Sequence, residues 1–88
     1  PELVAQAAAV SPDEIAFVHE STRVTFAAMN DKVAQTSATM GGAMKSQALM
    51  TVTLSALVPG ILPALGAQGL TTALASLIER AESVIASS

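Results

Sequence analysis

The chain has 88 residues with seven acidic and four basic side chains, a net charge of −3 and a hydrophobic content of 51%. This length allows one domain at most, which buries about 60% of the surface that the unfolded chain exposes. The absence of cysteine excludes disulfides, thiolate metal sites and cysteine nucleophiles, and it fits a reducing compartment. A pI near 4.8 with scattered cations excludes a basic stripe for nucleic acid. The first residues lack the basic and apolar regions of a signal peptide, so we expect a cytoplasmic chain.

Charge divides the chain into a polar half, residues 1–45, and an uncharged apolar half, residues 46–78. The uncharged run is 33 residues long, which is enough to span a bilayer. Its polar residues alternate with apolar ones, and prolines and glycines interrupt any single helix. We therefore expect other protein, and not lipid, to cover this segment.

The polar half contains a helix, a β-hairpin and a second helix. Residues 1–10 form the first helix, which ends at Ser11-Pro12-Asp13 because proline disfavours helical geometry in the residue before it. Two β-favouring runs, Ile15–His19 and Arg23–Thr25, surround a three-residue loop, which is typical of a hairpin. Thr25 can cap the second helix, and a Gly41-Gly42 pair ends or frays it. The apolar face of the first helix holds Leu3, Val4, Ala7 and Ala8, and that of the second holds Phe26, Met29, Val33, Ser37 and Met40.

The apolar half predicts a strand followed by two helices. Alternation over Leu49–Leu54 indicates the strand. Residues 57–67 indicate a broken helix with a kink or a late start at Pro63. Residues 72–86 form the clearest amphipathic helix, with Leu74, Leu77, Ile78, Ala81 and Ile85 opposite Glu79, Arg80, Glu82 and Ser83. The predicted fold class is α/β, in the order helix, β-hairpin, helix, strand and helices.

Three consecutive segments, Leu3–Ala8, Ser11–Val18 and Arg23–Asn30, resemble the start of an adenylate-forming enzyme. This family comprises the acyl-CoA synthetases and the adenylation domains of nonribosomal peptide synthetases. Its chains open with an apolar helix, a "TPDAIAV" segment, a hairpin and an "LTYAELN" helix start. The likeness covers residues 3–40 and is weaker beyond them. Ala28 stands where the family has the Glu of a capping box, which leaves only Thr25 to cap the helix.

The resemblance implies a partial N-terminal subdomain of a ligase that activates carboxylic acids as acyl- or aminoacyl-adenylates. Family members bind ATP with a Gly-rich Ser/Thr loop ending in Lys, downstream of this opening segment. ATP and Mg²⁺ are therefore implied for a full-length parent, and no cofactor is implied for these residues. The implied partner is the remainder of the enzyme.

Other candidate sites in the sequence do not form a recognisable constellation. Residues 40–46 have the Lys-Ser ending of a phosphate loop, but Met44 stands where glycine must precede the lysine. His19, the only histidine, has Ser21 nearby but no orienting acid at a recognisable spacing. Asp13 and Glu14 are adjacent and point apart, so Asp13 is interpreted as a turn residue. Met29 and Met40 are interpreted as core residues and not as a pliable binding surface. We therefore predict no catalytic, cofactor-binding or metal-binding residue.

Two functions of different class fit the sequence. The first is the structural opening segment of an adenylate-forming ligase, with no activity of its own. The second is a small non-catalytic, mostly helical interaction module that a partner or a second copy completes. The sequence predicts that the chain cannot cover all of its large apolar side chains alone. They are Leu57, Val58, Ile61, Leu62, Leu65, Leu74, Leu77, Ile78 and Ile85.

Overall fold

The computed structural model describes residues 2–39, Gly41 and residues 46–88. Within these ranges the protein is mostly helical, with one two-stranded antiparallel sheet. The mixed helix-and-strand character predicted from the sequence is confirmed. In chain order the elements are α1 (Glu2–Val10), β1 (Ile15–His19), β2 (Thr22–Thr25), α2 (Phe26–Thr39), α3 (Ser46–Leu57) and α4 (Ile61–Ala86).

Strands β1 and β2 form the predicted hairpin, with a loop one residue shorter than expected. His19 pairs with Thr22, so only Glu20 and Ser21 lie between the strands. Two-residue hairpin loops require positive φ, and Glu20 adopts φ 54° in place of the usual glycine or asparagine. A bulge between Ile15 and Phe17 inserts Ala16, which is buried.

Helix α2 begins at the predicted cap. The Ala28 amide donates a hydrogen bond of 3.1 Å to Thr25 Oγ1, which satisfies one of the amides left free in a first helical turn. Two more amides of that turn donate to the loop after α1: Phe26 N to the Glu14 carbonyl and Ala27 N to the Pro12 carbonyl, both at 3.0 Å. The turn at residues 11–14 therefore fixes how α2 leaves the hairpin. The helix ends before Gly41, as predicted.

The predicted strand Leu49–Leu54 is wrong, because these residues lie in helix α3. The hydroxyls of Thr51, Thr53 and Ser55 each donate to the carbonyl four residues earlier, at 2.8–2.9 Å. The helix thus satisfies the polar groups whose alternation indicated a strand. The same residues also carry a helical pattern, since the buried positions are Leu49, Met50, Thr53, Leu54 and then Val58.

Helix α4 combines the two helices predicted after the strand. It begins at Ile61, so Pro63 lies in the first turn, where its missing N–H removes no helical hydrogen bond. The late start is confirmed. The backbone leaves helical geometry at Gly66, with φ 72° and ψ 175°, a combination almost restricted to glycine. The predicted break therefore occurs three residues after the proline.

One core joins all six elements. Helix α1 packs on α2 and α4, α2 packs on α3, and β1 lies against α4. Arg80 Nε of α4 also donates to the Ile15 carbonyl at 3.1 Å. The predicted faces of α1 and the last helix, and that of α2 as far as Ser37, are buried or partly buried. The largest fully buried side chains are Phe26, Met29, Leu54, Ile61, Leu70 and Leu77.

Candidate functional site

The polar residues singled out in the sequence do not converge on one site. His19 is half-buried at the end of β1, and Ser21 is exposed in the hairpin turn. Asp13 and Glu14 are both exposed in the turn after α1, which confirms Asp13 as a turn residue. Across the part of the chain that the structure describes, no three His, Cys, Asp or Glu side chains are grouped as a metal site would require.

The phosphate-loop-like sequence at residues 40–46 falls almost entirely outside the described residues. Gly41 is described and has φ 69°, and its amide donates to the Ala38 carbonyl at 3.2 Å. This is the geometry of a glycine that ends a helix. Met29 is fully buried, as predicted for a core residue, and Met40 lies outside the described residues.

A groove of about 560 Å³ lies between the beginning of α3 and the middle of α4. We call it the α3–α4 groove. Its α4 wall extends from Thr71 to Glu82, about 16 Å at the helical rise of 1.5 Å per residue. Its volume is within the range of about 300–1,000 Å³ typical of ligand sites. The lining residues are Gln47, Met50, Thr71, Leu74, Ala75, Ile78, Glu79 and Glu82.

The groove has an apolar floor and one acidic end. Its apolar lining residues are Met50, Leu74, Ala75 and Ile78. Glu79 and Glu82, both exposed, place two carboxylates at the end nearest the C-terminus of α4. Such a groove can accept apolar side chains and repels an acidic group at that end. It holds no recognisable nucleophile and base in catalytic arrangement.

A second surface feature is the beginning of α4. Every residue from 62 to 68 is exposed, between the buried anchors Ile61 and Leu70. We call residues 62–68 the projecting segment. It presents Leu62, 47% exposed, and Leu65, 37% exposed, at helical spacing of three. An ideal Cβ on Gly69 would lie 2.8 Å from Leu65 Cβ, so the absence of a side chain at Gly69 makes room for Leu65.

The chain covers more of its apolar side chains than the sequence predicts. Of the nine expected to need a partner, Val58, Ile61, Leu74 and Leu77 are buried. Only the two leucines of the projecting segment are exposed. The other three are partly buried: Leu57, Ile78 and Ile85.

Helix α4 is long and apolar enough to cross a membrane by length and composition. The mean hydropathy of its most apolar 18-residue window is 1.5. Of that window, 22% is buried, so most of it faces the surface of the protein.

Comparison of the chain with protein-family models, with curated proteins and with solved structures gives no match. The resemblance of residues 3–40 to adenylate-forming enzymes therefore stays a prediction.

Sequence reasoning missed both surface features. The α3–α4 groove exists only because α3 is a helix, whereas the sequence predicted a strand at Met50. The spacing of Thr71, Leu74, Ala75, Ile78, Glu79 and Glu82 by three and four residues was available in the sequence as a helical stripe. It did not indicate which neighbouring element forms the opposite wall.

Proposed function

We propose that the chain is a non-catalytic structural segment and forms the opening part of an adenylate-forming ligase. The observation that carries the proposal is the arrangement of α1, the hairpin and α2, which follows the order of the family-like segments in residues 3–40. The hydrogen bonds from the beginning of α2 to the Pro12 and Glu14 carbonyls join those segments into one unit. Helix α3 lies outside that unit and stands where the sequence predicted a strand, so the proposal rests on residues 3–40 alone.

The sequence encoded downstream of Ser88 tests this proposal. A Gly-rich Ser/Thr loop ending in lysine, in the same reading frame, is expected. A stop codon directly after Ser88 contradicts it.

An activity measurement tests the non-catalytic half of the proposal. The purified 88-residue chain is expected to give no ATP–pyrophosphate exchange above background with a panel of carboxylic acids, whereas a longer chain that contains the downstream loop is expected to give exchange. Exchange by the 88-residue chain alone would overturn the assignment, because its described residues offer no recognisable phosphate-binding loop.

A second candidate function is a small interaction module, and it has its own supporting observation. Helices α3 and α4 bury Leu54, Ile61 and Leu77 against the same core that α1 and α2 use. A chain with such a shared core can fold without the rest of a ligase. Cooperative unfolding of the 88-residue chain, together with a stop codon after Ser88, supports this candidate over the first.

A further inference from the structure

We propose that the open edge of strand β1 binds an extended peptide of another protein, which runs antiparallel to β1 and ends in a carboxylate beside Arg80. The inference goes beyond both proposed functions, because neither assigns a binding surface to the hairpin. Its tests measure peptide binding by the 88-residue chain, so their failure leaves the tests of the ligase segment unaffected.

Strand β1 has one edge without a strand partner. Within the residues that the structure describes, the sheet consists of β1 and β2 alone. His19 and Thr22 flank the two-residue turn, so their backbones bond to each other. Because the bonding direction alternates along an antiparallel strand, the N–H and C=O of the neighbouring Val18 face away from β2. The backbone of an extended peptide can bond to such groups and add a strand to the sheet.

The sequence of β1 lacks the charged side chains and prolines that normally protect a sheet edge from pairing with another chain. Residues 15–19 read Ile-Ala-Phe-Val-His. The bulge between Ile15 and Phe17 lies at the start of the strand and leaves its second half in regular register. Strand β2 differs, because it contains Arg23 and continues directly into α2 at Phe26. The edge of β1 is therefore the better template for a further strand.

A groove beside this edge has room for the peptide. It has a volume of about 360 Å³ and lies between β1 and α4, and we call it the β1–α4 groove. Phe17 and Val18 line its strand side. Its helix side extends from Gly69 to Arg80, about 16 Å at 1.5 Å per residue. About five residues of extended chain, at 3.3 Å per residue, have this length.

Charge at one end of the groove selects the end of the peptide that lies there. Of the described residues that line it, only Arg80 is charged. Arg80 Nε donates to the Ile15 carbonyl at 3.1 Å, and the guanidinium has four further N–H donors. A strand antiparallel to β1 reaches Ile15 with its C-terminal end, so its carboxylate can accept from these donors. A parallel strand would bring its N-terminal ammonium, which Arg80 repels. Glu14 borders a second hollow with Arg80, so it competes with the carboxylate and reduces its contribution to affinity.

Amide hydrogen exchange in the chain without peptide tests the open edge. The His19 and Thr22 amides are expected to exchange at least about tenfold more slowly than the Val18 amide, because only the first two bond across the hairpin. Equal protection of all three in a monomeric chain contradicts the proposed edge. Protection of Val18 in a species of twice 8.9 kDa would show that a second copy occupies the edge, which also overturns the proposal.

A peptide library tests binding and the choice of end. The probe is a pool of random octapeptides with free C-terminal carboxylates, and the native chain is expected to retain peptides rich in β-branched and aromatic residues. The most enriched peptide is then made as the acid and as the C-terminal amide. Amidation is expected to weaken binding by about threefold or more in the native chain and not in R80Q. Circular dichroism establishes that R80Q is folded. A pool from which nothing is retained above a chain-free surface overturns the proposal, as does equal binding of acid and amide by the native chain.

Two substitutions at Val18 separate its backbone from its side chain. V18P removes the N–H that faces the peptide and no bond to β2, so the hairpin is expected to persist and binding to weaken at least about tenfold. V18T keeps the N–H and is expected to bind within about twofold of the native chain. The ¹⁵N amide signals of β2 establish the hairpin in both variants. In the native chain, bound peptide is expected to slow exchange of the Val18 amide, which tests the same bond without a substitution. Unchanged exchange there, or peptide-induced shifts confined to the α3–α4 groove, overturns the proposed site.

Discussion

Residues 2–39 and residues 46–86 contribute to one core but depend on different signals for their structure. Local signals set the boundaries of the elements in the first region: a proline that ends α1, a two-residue hairpin turn and a hydroxyl cap on α2. The second has no charge before Glu79, and its threonines suit either a strand or a helix. Local chemistry therefore specifies the first region, whereas packing against the first region decides the second.

The largest expected effect tests whether the two regions form one cooperative unit. Phe26 and Leu54 are both fully buried, one in each region. F26A is expected to lower the free energy of unfolding by about 3–5 kcal/mol and L54A by about 2–5 kcal/mol. Urea denaturation followed by circular dichroism is expected to show one transition that shifts as a whole in both variants. V10A, at an exposed position at the end of α1, is the control and is expected to cost about 0.5 kcal/mol or less. Two separate transitions would show that the regions fold independently.

The next effect concerns the break in α4. G66A places a Cβ where φ is 72° and ψ is 175°, so it is expected to lower the free energy of unfolding by about 1–3 kcal/mol. The neighbouring Ala67 has ordinary helical geometry, so A67G is expected to lower the free energy of unfolding by about 0.5–1 kcal/mol. Thermal or urea denaturation compares the two. If G66A is neutral or stabilising, α4 runs straight through residue 66.

Removing one threonine hydroxyl from each region is expected to change stability differently in the two regions. T25A removes the cap of α2 and is expected to cost about 1 kcal/mol, whereas T25S retains the oxygen and most of the stability. T71A removes a hydroxyl that bonds only within its own helix. It is expected to stabilise by a few tenths of a kcal/mol, because alanine is the better helix former. Urea midpoints for the three variants check this, and equal losses for T25A and T71A would contradict the assignment of Thr25 as a cap.

Alanine substitutions at two exposed valines are expected to change the free energy of unfolding by small amounts of opposite sign. Val52 is 41% exposed in α3, and Val18 is 49% exposed in β1. V52A is expected to stabilise by about 0.5 kcal/mol or less, because alanine favours a helix. V18A is expected to destabilise by up to about 1 kcal/mol, because valine favours a strand. A loss of stability in V52A would instead favour the strand that the sequence predicted for this segment.

The sequence predicted the first region well because single residues decide its boundaries. The β1 range Ile15–His19, the Thr25 cap and the faces of α1 and α2 all follow from residue type and spacing. The hairpin loop differed by one residue because Glu20 accepts positive φ without glycine. In the second region, residues 49–54 carry both a two-residue and a helical periodicity. Packing against α2 and α4 selects the helix over the strand. A local sequence pattern cannot predict that packing.

The surface features were less predictable than the fold. Both walls of the α3–α4 groove come from helices, and one of these was predicted as a strand. Leu62 and Leu65 are exposed in the turns of α4 that precede the break at Gly66. Apolar content alone gives no reason to separate these two leucines from the buried Leu74 and Leu77.

The bond from Arg80 Nε to the Ile15 carbonyl has a consequence for the order of events during synthesis. It joins residues 65 positions apart, and α1, near the start of the chain, also packs on α4. While a ribosome makes the chain, α1 and the hairpin emerge long before the helix that covers them. Their apolar faces therefore stay partly uncovered until α4 has been synthesised, so this core forms late and in one step.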